Sequence, residues 1–210
     1  MGIKAVIFDL GGVILESPME VFAAFERERG LPQNFLNRLI VNAGEQGAWA
    51  RLERGELNLD RFFKEFDEEI RAAGADISSS ELMMAVAGNT RIRDNMLQAV
   101  RRIRAAGFKV AALTNNWLVG DGTSTGLEGF TSEFDQFVES SREGLAKPDP
   151  GIYQVVLDRL GVQAGEAVFL DDIGRNLKPA RAMGMTTIKV GRPEQALAEL
   201  GEVLGMDLSG

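Results

Sequence analysis

The 210-residue chain contains no cysteine and no histidine. Those two absences exclude disulfides, Cys/His zinc sites, iron–sulfur ligation, haem held through histidine, and every Ser-His or Cys-His nucleophile. Chemistry here must run on carboxylates, lysines, hydroxyls and oxygen-bound metal ions. Basic residues are in deficit too: 23 Lys and Arg face 31 Asp and Glu, a net charge of −8. That balance repels a phosphate backbone and speaks against nucleic acid or an anionic membrane as the main partner. Long apolar runs are also missing. The first, Ala5 to Phe8, is stopped by Asp9, and none approaches the roughly 18 residues of a membrane span. With no basic, apolar leader at the N-terminus, the expected location is the cytoplasm.

What is present is ordinary globular material, 45% hydrophobic and 26% charged, enough for one large domain or one domain carrying a sizeable insert. Ile3 to Phe8 is a short apolar run that reads as a buried strand. Similar runs follow at Phe108 to Leu113, Gln136 to Glu139, Ala167 to Leu170 and Thr186 to Val190. Helical patterns lie between most of them: Arg93 to Ala106, Pro150 to Leu160 and Leu177 to Met183, each closed by a glycine. Alternating strands and helices predict an α/β fold, a Rossmann-like parallel sheet covered by helices on both faces.

From Ser17 to about Gly88 the helical signals follow one another with no strand between them, which predicts a helical insert. Residues 1–16 and 89–210 then form the α/β core and 17–88 a separate helical unit. Ser17-Pro18-Met19-Glu20 and Ser78-Ser79-Ser80-Glu81 read as capping boxes. Gly120 to Gly129 reads as a flexible surface loop.

In an open parallel sheet, ligands bind beyond the carboxyl ends of the strands. The residues there are Asp9, with Gly11-Gly12 behind it; Thr114-Asn115; Lys147 in Lys147-Pro148-Asp149-Pro150; and Asp171-Asp172. Carboxylates crowded beside one lysine are costly unless a cation sits among them, and Mg²⁺ suits an all-oxygen set that leaves room for water and substrate phosphate. Lys147 supplies a fixed positive charge, Thr114 and backbone N–H groups can donate to phosphate oxygens, and Asp9 is the candidate nucleophile on phosphorus.

In this order, Phe8-Asp9-Leu10-Gly11-Gly12-Val13, Leu113-Thr114-Asn115, Lys147-Pro148 and Phe169-Leu170-Asp171-Asp172 resemble the four motifs of the haloacid dehalogenase superfamily. Leu113-Thr114-Asn115-Asn116-Trp117 and the run from Phe169 to Arg181 look most like the phosphatase-like N-terminal domains of soluble epoxide hydrolases and of an acyl-CoA dehydrogenase family member. The resemblance spans nearly the whole chain and places a helical cap at Ser17 to Gly88. It implies an Mg²⁺-dependent hydrolase acting on a small phosphorylated substrate, such as a sugar or lipid phosphate, through an aspartyl-phosphate. By the same resemblance Asp9 is nucleophile and metal ligand, the Gly11 carbonyl a metal ligand, and Thr114 and Asn115 phosphate binders. Lys147 balances charge, Asp171 and Asp172 hold Mg²⁺ directly or through water, and Asn176 steadies their loop.

One role is vacant. Many relatives carry a second aspartate, the general acid–base, where this chain has Gly11. Such assistance is worth about 10²–10⁴-fold in rate. The vacancy keeps two alternatives open: a 2-haloacid dehalogenase-type hydrolase, and a weakened domain that binds a phosphorylated ligand or partner. Glu16 and Glu45 are the carboxylates considered as substitutes. The aromatic group Phe22, Phe25, Phe35, Trp49, Phe62, Phe63, Phe66 and Trp117 reads first as packing between helices. Arg91, Arg93, Arg101, Arg102 and Arg104 read as a solvated face.

Overall fold

A computed structural model describes residues 2–89, 91–119, 129 and 131–208. Apart from Gly129, the expected loop at Gly120 to Gly129 lies outside the described residues. Five parallel strands, β1 (Ala5–Phe8), β2 (Lys109–Thr114), β3 (Gln136–Glu139), β4 (Ala167–Asp171) and β5 (Thr186–Lys189), form one sheet in the order β3-β2-β1-β4-β5. β1 lies at the centre, every residue of it fully buried, which explains its unbroken apolar run: both faces are covered.

The two faces divide by the strand period of two. Val6, Phe8, Val110, Ala112, Val168 and Leu170 pack on one side against Met96, Val100 and Ile103 of α6 (Asp94–Ala105). Leu197 and Leu200 of α10 (Pro193–Leu204) join them. Ala5, Ile7, Ala111, Leu113 and Phe169 point the other way, against α8 (Pro150–Leu160) and α9 (Gly174–Ala182). Each large apolar side chain so buried contributes about 1.5–3 kcal/mol.

The segment after β1 holds α1 (Pro18–Glu28), α2 (Phe35–Ala43), α3 (Ala48–Glu53), α4 (Leu59–Ala72) and α5 (Ser79–Gly88). These helices share an apolar cluster of their own around Phe22, Leu36, Trp49, Phe62, Phe66 and Leu82. Trp49 meets Phe22, Phe62 and Phe66 with ring centroids 5.4 to 5.7 Å apart, so the aromatic group is packing, as its helical spacing predicts. The segments that lead out of and back into the sheet meet in an isolated antiparallel bridge at Leu15 and Ile92, with Glu16 N donating to Arg91 O at 2.9 Å and Arg93 N to Ile14 O at 2.8 Å.

Several local expectations are revised. Ser17 caps α1 by accepting from Met19 N. The second capping box does not form, because Ser78 Oγ pairs with Ser80 Oγ, Asp67 takes the Ser79 N–H, and Glu81 pairs with Arg29. α9 starts three residues before the expected Leu177 and contains Pro179, and α10 carries no expectation from the sequence.

Candidate active site

Asp9 follows β1, and its Oδ1 accepts the Leu10 N–H at 2.7 Å and the Lys147 ammonium at 2.8 Å. Lys147 also reaches Asp171, the last residue of β4, at 2.8 Å. Asp171 is held further by the Ile173 N–H at 2.7 Å and by Asn176 Nδ2 at 3.2 and 3.1 Å. Asn176 is fixed in turn because its carbonyl accepts the buried Tyr153 hydroxyl at 2.7 Å. Asp172 completes the group: carboxylate oxygens of Asp9, Asp171 and Asp172 all lie within 4.8 Å of one another.

The loop carrying Lys147 enters α8 with Asp149 accepting from Gly151 N and Pro150 in the first turn, as the sequence predicts. Its backbone is tied to the end of β2, where Lys147 N donates to Asn115 Oδ1 at 2.9 Å and Asn115 Nδ2 donates to Lys147 O at 3.1 Å. The same Nδ2 donates to Glu53 Oε2 at 3.2 Å. Both amide hydrogens of Asn115 are therefore engaged within the protein. Thr114 is buried, with its hydroxyl donating to Asn115 O at 3.4 Å.

Electrostatics decide what this arrangement can hold. Burial alone would push Lys147 down, but Asp9 and Asp171 overcome it and hold the ammonium above its ordinary range. Burial lifts Asp9 well above the usual carboxylate range, with Lys147 opposing and Asp171 adding to the rise. Asp172 is lifted to about 6, first by burial and then by Asp171. Three carboxylates against one ammonium leave two formal negative charges in a site where Asp9 and Asp171 are buried and Asp172 is half-buried. Asp172 Oδ1 is buried without a hydrogen-bond partner, although such oxygens are normally satisfied. Gly12 makes room for that carboxylate: at φ +76°, a Cβ there would stand 2.1 Å from Asp172 Oδ2. An unpartnered oxygen in an over-charged acidic group suits a hard divalent cation.

The four motifs thus meet at one edge of the sheet. Glu16 and Glu45 are both exposed, and neither side chain bonds to these residues. Sequence reasoning misses Glu53, whose Oε1 also accepts from Trp49 Nε1 at 3.1 Å. It misplaces Arg93, which is not on a solvated face: its guanidinium donates to the Gly12 carbonyl at 2.6 Å and acts on Asp172. Arg101 and Arg104 do lie on the surface, paired with Glu133 and Asp135. No local pattern marks Glu53 or Arg93, because each meets its partner across more than fifty residues of chain.

A haloacid dehalogenase-like hydrolase profile matches residues 3–184. The chain is 40% identical to mouse acyl-CoA dehydrogenase family member 10 over 98% of its own length and 19% of that protein's. It is 36% identical to pig bifunctional epoxide hydrolase 2 over 99% of its length and 40% of that protein's. It therefore spans well under half of each. An Aspergillus oryzae sesquiterpene phosphatase is 26% identical, covering 96% of this chain and 97% of the other.

Among solved structures, a HAD-like hydrolase of Porphyromonas gingivalis superposes with a TM-score of 0.72 at 20% identity, covering 99% of this chain and 100% of that one. A Bacteroides thetaiotaomicron HAD-family enzyme, solved with magnesium and inorganic phosphate, gives 0.61 at 22% identity over 91% and 96%. L-2-haloacid dehalogenase of Xanthobacter autotrophicus gives 0.63 at 22% identity over 99% and 85%. These likenesses share the fold, and the matched span 3–184 includes the residues that converge here on Lys147. On that ground the chain belongs to the haloacid dehalogenase-like hydrolases.

Proposed function

We propose that this hydrolase is an Mg²⁺-dependent phosphatase of small phosphomonoesters, working through an aspartyl-phosphate on Asp9. The observation that carries the reading is the unpartnered Asp172 oxygen in a group of three carboxylates around one buried ammonium. Asp9, Asp172 and the Gly11 carbonyl would hold the ion, with Asp171 contributing directly or through water. Bound there, Mg²⁺ would neutralise the carboxylates and polarise the phosphoryl oxygens. The magnesium and phosphate of the Bacteroides enzyme and the phosphatase named among the relatives support this choice.

Asp9 attacks phosphorus in line, the ester P–O bond breaks, and water then hydrolyses the aspartyl-phosphate. Lys147, fixed between Asp9 and Asp171, orients the nucleophile and meets the phosphoryl charge. The Thr114 hydroxyl donates to phosphate, and Asn115 does so through its backbone, since its side-chain amide is occupied. Residues 17–88 act as a cap over a core made of 1–16 and 89–210, shielding the reaction from bulk water.

A panel of phosphomonoesters tests the reading. Phosphate release should require Mg²⁺ and disappear in Asp9→Asn; turnover without metal, or turnover that survives this change, refutes it. Gly11 and the likeness to a dehalogenase favour a second reading, hydrolysis of a carbon–halogen bond. Crowding Asp171 and Asp172 at the site would serve no purpose there, and chloride release from 2-haloacids would revive the idea. Tight binding of a phosphorylated ligand with no release under any metal would favour the binding-only alternative.

A further inference from the structure

We infer that Glu53 of the cap supplies the acid–base group that Gly11 does not, giving a proton to the departing oxygen and recovering one from the hydrolytic water. The inference rests on the phosphatase reading and deepens it. In-line attack by Asp9 from the sheet edge puts the leaving oxygen on the far side of phosphorus, facing away from the strands. Residues of the cap reach that edge, Glu53 by its bond to Asn115 and Trp49 by its contact with Trp117. Glu53 ends α3, and its carboxylate bonds Asn115, which is itself bonded to the backbone of Lys147; Lys147 Nζ is 2.8 Å from Asp9.

The placement is built into the fold. Trp49 holds the second carboxylate oxygen and packs edge-on to Trp117, which follows β2, with centroids 5.9 Å apart. Just beyond α3, Gly55 adopts φ +70° and lies so close to α7 (Ser140–Glu143), the short helix after β3, that a Cβ would stand 2.3 Å from Ser141 O. The flanking arginines are engaged elsewhere, Arg51 with Glu65 and Glu56, Arg54 with Glu56. From the core, Arg175 and Lys147 act on Glu53 and favour its ionised form, as do the Trp49 and Asn115 hydrogen bonds; burial outweighs all four and lifts its pKa. That direction suits a carboxyl group that must hold a proton until one is called for.

The proton count closes. As Asp9 bonds to phosphorus and the ester bond breaks, the alcohol oxygen keeps the electron pair and takes the Glu53 proton. Water then attacks the phosphorus of the aspartyl-phosphate and returns one proton to Glu53, the Asp9–phosphorus bond breaks, and phosphate leaves with both carboxyl groups as they began.

The test compares glycerol phosphate, whose alkoxide leaves poorly, with acetyl phosphate, whose carboxylate leaves without a proton. Turnover of both is measured in Mg²⁺ for the wild type, Glu53→Gln, and Glu53→Gln combined with Gly11→Asp. An aspartate fits at position 11, where a Cβ would meet only Pro18, at 3.4 Å. Glu53→Gln should lower kcat/KM, which reports transfer to Asp9 and departure of the leaving group, by about 10²-fold or more on glycerol phosphate, with a loss about tenfold smaller on acetyl phosphate, and Gly11→Asp should recover about tenfold of it. The absence of either the difference or the recovery overturns the assignment. If the wild type hydrolyses neither ester, the phosphatase reading has failed, and the assignment falls with it.

Discussion

Lys147 is the residue on which the site turns. Its side chain is 1% exposed, between Asp9 and Asp171 and 5.6 Å above the Phe169 ring. Removing one member of a buried ionic group strands the others. Lys147→Met should therefore destabilise the protein by about 3–5 kcal/mol in urea unfolding; a midpoint equal to the wild type would show that the carboxylates are solvated after all. Asp172 has a consequence of the opposite sign. An acid raised from 3.8 to about 6 on folding keeps its proton longer in the folded chain. Within that window the folded state binds more protons than the unfolded one, so stability falls as pH rises through it and stays low at neutral pH. Asp9, also raised, acts in the same direction. Binding of a cation to the ionised carboxylates reverses the effect, so the rise in Tm on adding Mg²⁺ should be larger near pH 7 than near pH 5. Equal shifts at both would place the ion elsewhere.

Among the elements, the strands are legible because each is a short apolar run ended by a polar residue, and the parallel order makes those ends coincide. The helix caps are less so. Glu26, in α1, is 3% exposed and spends both carboxylate oxygens on the next turn of chain, accepting from Asn34 N at 2.8 Å and Leu36 N at 2.9 Å. It does for α2 what Asn34, at φ 59° and without a side-chain cap, cannot do. In sequence Glu26 looks like one more charge on an amphipathic helix. Its replacement by alanine leaves two N–H groups without their acceptor, at about 1–3 kcal/mol for each that stays buried. Thermal unfolding of Glu26→Ala should show that loss, with Glu26→Gln intermediate because its amide oxygen still accepts one of the two bonds.

At the scale of the molecule, the question is how firmly the helices of 17–88 are set on the sheet. They join the core through the paired segments at Leu15 and Ile92, and they touch it again through Glu53, Gly55 and Trp49. Gly55 is the tightest of these contacts. A side chain there meets both a left-handed backbone, costing about 1–2 kcal/mol, and the Ser141 carbonyl, so α3 must lift. Gly55→Ala should then reproduce the Glu53→Gln selectivity, losing more on glycerol phosphate than on acetyl phosphate with Glu53 still present. An unchanged ratio of the two rates would show that the position of α3 does not matter to the leaving group.

The sequence by itself determined which chemistries were excluded, which residues stand at the strand ends, and that Asp9, Lys147, Asp171 and Asp172 would share an edge. These follow from composition and from short apolar runs, each ended by a polar residue, both local properties of the chain. Only the tertiary structure decided that Glu53 rather than Glu16 or Glu45 reaches Asn115, that Arg93 turns inward to the Gly12 carbonyl, and that Asp67 takes the place of a serine cap. Each of those contacts joins segments whose approach is set by how whole helices pack against one another and on the sheet. No periodicity along the chain encodes such a meeting.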